Sequence, residues 1–237
     1  MVKTLVLYVF HQYNERVRHF IYNGGVFYDE NIDFIFISNN KNNVFEVPPF
    51  VKKMFRDNIG FDFGGWSDAL LTNDLYKGYD NFIFVNSSVI GPFIDPGTKW
   101  TDAYLNGLTT NNVKLFGSTI NTMGLPNMFA HVQSYIFAMD KTTLEYLIEY
   151  EIFSTTKYAK TIIDAVFFNE VAMSRRIIAN GWNIGSLLKH YDGVDFTFHS
   201  PLKKRIPFLD DIMYPKYCNT LWNVKELIFI KGNRFST

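Results

Sequence analysis

Val51-Lys52-Lys53-Met54-Phe55, followed by Arg56-Asp57-Asn58-Ile59-Gly60-Phe61-Asp62-Phe63-Gly64-Gly65-Trp66, is the stretch on which the fold turns. A short apolar-alternating run gives way to a Gly-rich turn, and the turn opens onto Trp66, Ala69 and Leu70 at helical spacing. That order predicts a strand over Val51–Phe55, a turn, and a helix over Trp66–Tyr76. Glycine lets a backbone approach a ligand closely, and a helix N-terminus presents unpaired N–H groups with a partial positive charge. Asp62 stands where it can cap the helix or hold a ribose or sugar hydroxyl. Asn58, Gly60 and Asp62 are therefore candidates for contact with a nucleotide or nucleotide-sugar. The competing reading is a Gly-rich turn with a purely structural role.

Upstream and downstream of this stretch two periodicities alternate. Thr4–Phe10 reads as a buried strand, and His11–Tyr22 has helical spacing through Val17, Phe20 and Ile21. Asp33–Ser38 reads as a second strand, closed by the polar run Asn39-Asn40-Lys41-Asn42-Asn43, and Asn81–Val85 as another, ending in Asn86-Ser87-Ser88. Strands alternating with helices predict βαβ units, and the expected fold class is α/β, with a central, mostly parallel mixed sheet flanked by helices. Ligands of such sheets lie outside the carboxyl ends of the strands. His11, Ser38, Asn58 and Asn86 all fall at such ends.

The second part is mixed. Val113–Ser118 and Val132–Met139 read as strands, and Thr142-x-x-Glu145 as a capping box before Leu144, Leu147 and Ile148. Ile162–Asn180 is helical and stops at Asn180-Gly181. Asn183–Leu188 reads as a last strand. From Tyr191 on, Pro201, Pro207 and Pro215 break the pattern, leaving an arm with a short helix near Trp222–Phe229. No repeat or linker divides the chain. The expectation is a single domain over 1–237, with a nucleotide-sugar part over 1–92, an acceptor and catalytic part over 93–190 and a C-terminal arm over 191–237.

Composition narrows the function classes. The 237 residues are 47% hydrophobic and 18% aromatic, enough to build a large core. Lys plus Arg and Asp plus Glu are equal at 23 each, so no overall field favours nucleic acid, and Lys203-Lys204-Arg205 alone is a weak patch. Cys218 is the only cysteine, which rules out an intrachain disulfide and agrees with a reducing compartment. His11, His19, His131, His190 and His199 are scattered without zinc-site spacing. The apolar run Leu5–Phe10 is too short for a signal-peptide core or a membrane span. A cytoplasmic protein without a transmembrane segment is the expectation; oligomeric state is not legible.

The run Asn58–Trp66 resembles the Asn-x-Gly-x-Asp-Phe-Gly-Ala-Trp signature of the rhamnan-synthesis family of glycosyltransferases, which includes domains from large DNA viruses. Phe61 stands where Arg is common, and Gly65 where Ala is. Asn86-Ser87-Ser88, followed by Gly91-Pro92, takes the place of the family's Asn-Asp-Ser and Gly-Pro. His131-Val132-Gln133-Ser134 matches a His-x-Gln-Ser pattern, and Thr220, Trp222 and Phe229-Ile230-Lys231 match its closing pattern, without the Pro expected after Asn219. Asn169-Glu170-x-x-x-Ser174-x-Arg176 resembles the Glu-Asp-x-x-Leu-Ser-x-Arg element of family-2 glycosyltransferases, whose Asp is the catalytic base; Glu170 takes that Asp position.

The resemblance implies a GT-A-type fold and transfer of a sugar from a UDP- or dTDP-linked donor to a hydroxyl of a glycan acceptor, with inversion. It implies donor contacts from His11, Asn58, Gly60, Asp62, Trp66, Asn86, Ser87 and Ser88, sugar contacts from His131 and Gln133, and Glu170 as the base. By strand alternation His131, Gln133 and Tyr135 share one face, and Val132 and Ser134 the other. Where relatives carry an Asp-x-Asp motif for Mn²⁺ or Mg²⁺, this chain has neutral Asn86-Ser87-Ser88. Metal binding is then weak, completed elsewhere (Ser88 and His199, with Asp195 near it, are the candidates), or absent. Two other function classes stay open: a catalytically idle nucleotide-sugar or carbohydrate-binding module, and a scaffold subunit of a polysaccharide-assembly complex.

Overall fold

The computed structural model describes residues 1–122, 130–197, 216–217, 220–221 and 223–232. At its centre β1 (Thr4–Phe10) is buried along its whole length, as its unbroken apolar run requires of a strand covered on both faces. It pairs in parallel with β2 (Ile32–Ser38) on one side and β4 (Asn81–Asn86) on the other, and β2 pairs in parallel with the edge strand β3 (Lys52–Phe55). The antiparallel β9 (Ile136–Asp140) follows β4, then β6 (Val113–Gly117) and β10 (Asn183–Ser186), giving the seven-stranded order β10-β6-β9-β4-β1-β2-β3. The chain runs from β1 to β2 and β3, then returns to β4 on the other flank of β1. That reversal is a topological switch point, the crevice where open α/β sheets bind ligands.

Two apolar layers cover the sheet. Leu5, Leu7, Val9, Phe84 and Phe137 face α2 (Phe61–Leu71), α4 (Lys141–Glu149) and the C-terminal part of a long helical segment. Val6, Tyr8, Phe10, Phe36 and Ile83 face α1 (Glu15–Tyr22), α3 (Trp100–Gly107) and the turn at Ile228–Phe229. The long segment consists of α5 (Ile162–Asp164), a π-helical stretch Ala165–Val171, and α6 (Ala172–Ala179). Short pairs complete the structure: β5 (Val89–Ile90) with β13 (Ile230–Lys231), β7 (Ile120–Asn121) with β8 (His131–Val132), and β11 (Lys216–Tyr217) with β12 (Thr220–Leu221). The four-residue helix α7 (Val224–Leu227) precedes β13.

Several local expectations are corrected. The helix after the Gly loop starts at Phe61 rather than Trp66, so Asp62 lies in its first turn and the N-cap is Gly60. The helix α1 starts at Glu15 behind the Asn14 side chain, which accepts from the Arg16 and Val17 N–H groups. Asp140, not Thr142, caps α4, through the Thr143 N–H at 2.8 Å. The strand expected over Val132–Met139 is broken: β8 ends at Val132, a turn takes Ser134 and Tyr135, and β9 begins at Ile136. Among the described residues no helix is long and apolar enough to cross a membrane.

Candidate active site

The Gly loop is held from below by one arginine. Arg56, only 7% exposed, donates from Nε to Asp68 Oδ2 (2.6 Å), from Nη1 to Asn39 Oδ1 (2.7 Å) and from Nη2 to the Ile59 carbonyl (2.7 Å). Charge-assisted bonds of this kind are the strong ones, and a buried guanidinium needs them. Asn39 in turn donates to the Phe61 carbonyl at 3.0 Å, and its own carbonyl meets His11 Nδ1 at 2.9 Å. The loop is thus tied to the carboxyl ends of both β1 and β2. Gly60 has φ +75°, and a Cβ at Gly64 would stand 2.0 Å from the Ile59 carbonyl oxygen, so both positions need glycine. Phe61 is also left-handed, at φ 56°, a conformation that costs a bulky residue about 1–2 kcal/mol. Strain of this kind gathers at ligand sites.

From this loop the first turn of α2 carries Asp62 across to the end of β4. Asn86 donates from Nδ2 to Asp62 Oδ2 (2.9 Å), and its Oδ1 accepts the Ser88 N–H (2.9 Å). Burial pushes the Asp62 carboxyl up to about 6, and the negative charge of Glu170 adds to the rise. The Asn86 amide and the positive charge of Lys231 oppose it without cancelling it.

Glu170 comes to the same place from the π-helical stretch. A π-helical turn widens the helix and re-aims side chains, and such turns are frequent at functional sites. Here Phe167 is turned out to 51% exposure, while Val171, Ser174 and Ile178 stay buried. The π-helical turn also lets Glu170 meet the β8–β9 turn. Glu170 Oε2 accepts the Ser134 N–H at 2.8 Å and the Ser134 hydroxyl, while Oε1 lies 3.4 Å from His131 Nε2. Burial alone would raise this carboxyl, but the adjacent His131 and the two Ser134 donors outweigh burial and hold it down to about 2. Asp62, which senses the charge of Glu170, and Glu170 itself are thereby driven in opposite directions, the arrangement that separates acid and base roles in enzyme sites. The expected alternation set Ser134 opposite His131; the turn brings both onto Glu170.

Other anticipated residues fall elsewhere. Asn58 is exposed on the loop, and His11 lies exposed at the end of β1. Ser87 lies in the turn after β4, donating its N–H to the Val9 carbonyl at 3.0 Å. Trp66 is fully buried, with Nε1 donating to the Leu7 carbonyl (3.3 Å) and its ring edge-on to Phe63, Phe84 and Phe137. It anchors α2 to the sheet, and a donor contact from Trp66 is corrected to a core role. Gln133 is buried with Oε1 accepting the Thr119 hydroxyl at 2.8 Å, on a polar chain that continues to Tyr135. Asn169 donates to the Ile152 carbonyl, and Asp164 closes a capping box with Thr161. Asp195 sits beside Asn183, at the start of β10, because the neighbouring Phe196 N–H donates to Asn183 Oδ1. β10 is an edge strand, three strands from the central β4 whose carboxyl end carries Asn86. His199 lies outside the described residues.

A family model described as rhamnan synthesis protein F matches residues 34–221. The chain belongs to that family. The match takes in the Gly loop, the end of β4, the β8–β9 turn and Glu170, so every side chain of the two carboxylate clusters lies inside it. Membership in the rhamnan synthesis protein F family supports a glycosyltransferase-like function. A comparison with curated proteins finds no match. Among solved structures, a cytidylyltransferase from Leptospira borgpetersenii is similar at 11% identity and a TM-score of 0.37, over 78% of this chain and 76% of that one. A protein described as a nucleotide-diphospho-sugar transferase from Desulfovibrio desulfuricans is similar at 9% identity and a TM-score of 0.38, over 88% and 93% of the two chains.

Proposed function

We propose that this chain is a GT-A-type glycosyltransferase of polysaccharide synthesis that moves a sugar from a UDP- or dTDP-linked donor onto a glycan hydroxyl with inversion. The observation that carries the reading is the placement of two carboxylate clusters beside the switch point between β1 and β4: Asp62 bonded to Asn86 at the end of β4, and Glu170 held by Ser134 and His131. The donor lies over residues 1–92, against His11, the Gly loop, Asp62 and Asn86–Ser88, with Asp62 taking a hydroxyl of the sugar. The acceptor enters from the side of residues 93–190.

Transfer forms a bond from the acceptor oxygen to the anomeric carbon and breaks the bond to the diphosphate, which leaves with the electron pair. The acceptor proton passes to the His131–Glu170 pair. Glu170 alone, held at about 2, is a weaker base than a free glutamate, so the pair and its position carry the proton transfer. Ser134, on the β8–β9 turn, fixes the carboxylate.

The test is transfer from a panel of UDP- and dTDP-sugars to mixed oligosaccharide acceptors, followed by mass spectrometry of the glycan. One donor extends an acceptor by one sugar, with the anomeric configuration reversed in the product. A panel that gives no extension, with Asp62→Asn no different from the parent in nucleotide-sugar binding, refutes the assignment.

A further inference from the structure

Charge that collects on a leaving diphosphate has to be met by positive charge held in place. Hard divalent cations want several oxygen ligands, anionic ones above all. The end of β4 offers a single carboxylate, Asp62, whose Oδ2 is already taken by Asn86. Asn86 has both ends of its amide engaged, with Asp62 and with the Ser88 N–H, and Ser87 and Ser88 are neutral. Among the described residues there is no group of three or more His, Cys, Asp or Glu side chains that could hold a metal ion, and Asp195 lies by the edge strand β10. The residues at this strand end do not fit a metal that bridges the diphosphate.

Two cations flank the same strand end. Arg16, in the first turn of α1, donates from Nε to the Ser87 carbonyl at 2.9 Å. Its stem runs against Gly232, where an added Cβ would lie 2.9 Å from Arg16 Cδ. Its two terminal nitrogens make no hydrogen bond among the described residues, and together they present the planar fork that suits phosphate oxygens. Next to it, β13 pairs antiparallel with β5, setting Lys231 opposite Val89, while the Gly232 N–H donates to the Ser88 carbonyl at 2.6 Å. This lays Lys231 beside Ser88, and Asp62 senses its charge. Lys231 forms no ion pair among the described residues. A divalent ion placed here would be repelled by both.

We infer that Arg16 and Lys231 do the work of the divalent ion, binding the diphosphate of the nucleoside diphosphate donor and balancing its charge as it leaves. The inference rests on the transferase reading above. It also gives the C-terminal segment a purpose in the site, since β13 delivers one of the two charges.

The experiment is calorimetric titration of the full chain with UDP and dTDP, and with uridine and thymidine, in EDTA and again in excess Mn²⁺. The expected result is diphosphate affinity unchanged by Mn²⁺ to within about twofold. Arg16→Met and Lys231→Met should each weaken diphosphate binding by roughly tenfold or more, the range of a charge-assisted hydrogen bond, and leave nucleoside binding alone. Lys231→Arg should restore most of the loss. Diphosphate binding that requires Mn²⁺ overturns the inference and leaves the transferase reading standing. So does an equal fall in nucleoside and diphosphate affinity, which marks a structural role, or no fall in either variant. Failure of every nucleotide and nucleoside to bind removes the donor site itself, and both conclusions with it.

Discussion

Replacing Asp62 with asparagine should make the protein more stable at neutral pH. The native carboxyl is raised from 3.8 to about 6, so ionising it costs more in the folded chain than in the unfolded one. Between those values the folded state holds more protons, and stability attributable to Asp62 falls as pH rises. It is fully present below about 3.8 and lost by the time pH has passed about 6. A difference of about two pH units corresponds to about 3 kcal/mol. Part of Asp62 remains in contact with water, and screening brings the expected effect to about 1–2 kcal/mol. Asparagine removes the charge while its amide oxygen still accepts from Asn86 Nδ2. Urea unfolding at pH 7.5 should therefore show Asp62→Asn more stable by about 1–2 kcal/mol, with the gain down to roughly a third of that at pH 4.5. A gain of equal size at both pH values, or a loss at pH 7.5, would show that Asp62 is not a strained acid and would remove its electrostatic link to Glu170. Stabilisation on removing a functional group is the usual mark of a site whose geometry is kept for use rather than for folding.

Glu170→Gln should leave nucleoside diphosphate affinity within about twofold and lower transfer by roughly a hundredfold or more, measured by titration and product assay. Because the Glu170 carboxyl is held at about 2, its ionised form stabilises the fold above about pH 4.5, and that contribution fades as pH falls towards 2. The variant should accordingly be less stable than the parent at pH 7, by urea unfolding, with the gap closing in acid. Ser134→Ala keeps the backbone donor and deletes the hydroxyl, so the Glu170 carboxyl should titrate higher, by carbon NMR of labelled glutamate; an unmoved titration contradicts the contact. Trp66→Ala should cost about 3–5 kcal/mol in denaturant unfolding, the loss of a large core side chain, and an unchanged midpoint would return Trp66 to the ligand site.

Much of the architecture is legible in the chain because it depends on period and run length. The apolar run at Thr4–Phe10 names a strand covered on both faces, and the polar residues that close such runs name the edge where His11 and Asn86 lie. The long helix ends at Asn180-Gly181 as its composition requires. What escaped depends on partners far apart in sequence. Arg56 and Asn39 build the floor of the Gly loop, yet a buried arginine breaks the rule by which arginines are read as surface. Ser134 was set on the wrong face because alternation assumes an unbroken strand, and the turn at 133–135 is shaped by the hydrogen bond of Gln133 N–H to the Thr119 carbonyl and by the docking of Val132 on Ser174. A 3.6-residue period would put Phe167 on one stripe with Val171, Ser174 and Ile178, and a π-helical turn does not keep that period. Asp140 displaced Thr142 as a cap because its carboxylate also takes the Thr143 hydroxyl.

The most direct test of the account is a crystal structure of the chain with UDP or dTDP bound. The account predicts the nucleotide over the carboxyl ends of β1 and β4, with its diphosphate between Arg16 and Lys231 and its terminal phosphate facing the gap between Asp62 and Glu170. A nucleotide seated at the edge strand β10, near Asn112, Asn183 and Asp195, would contradict it.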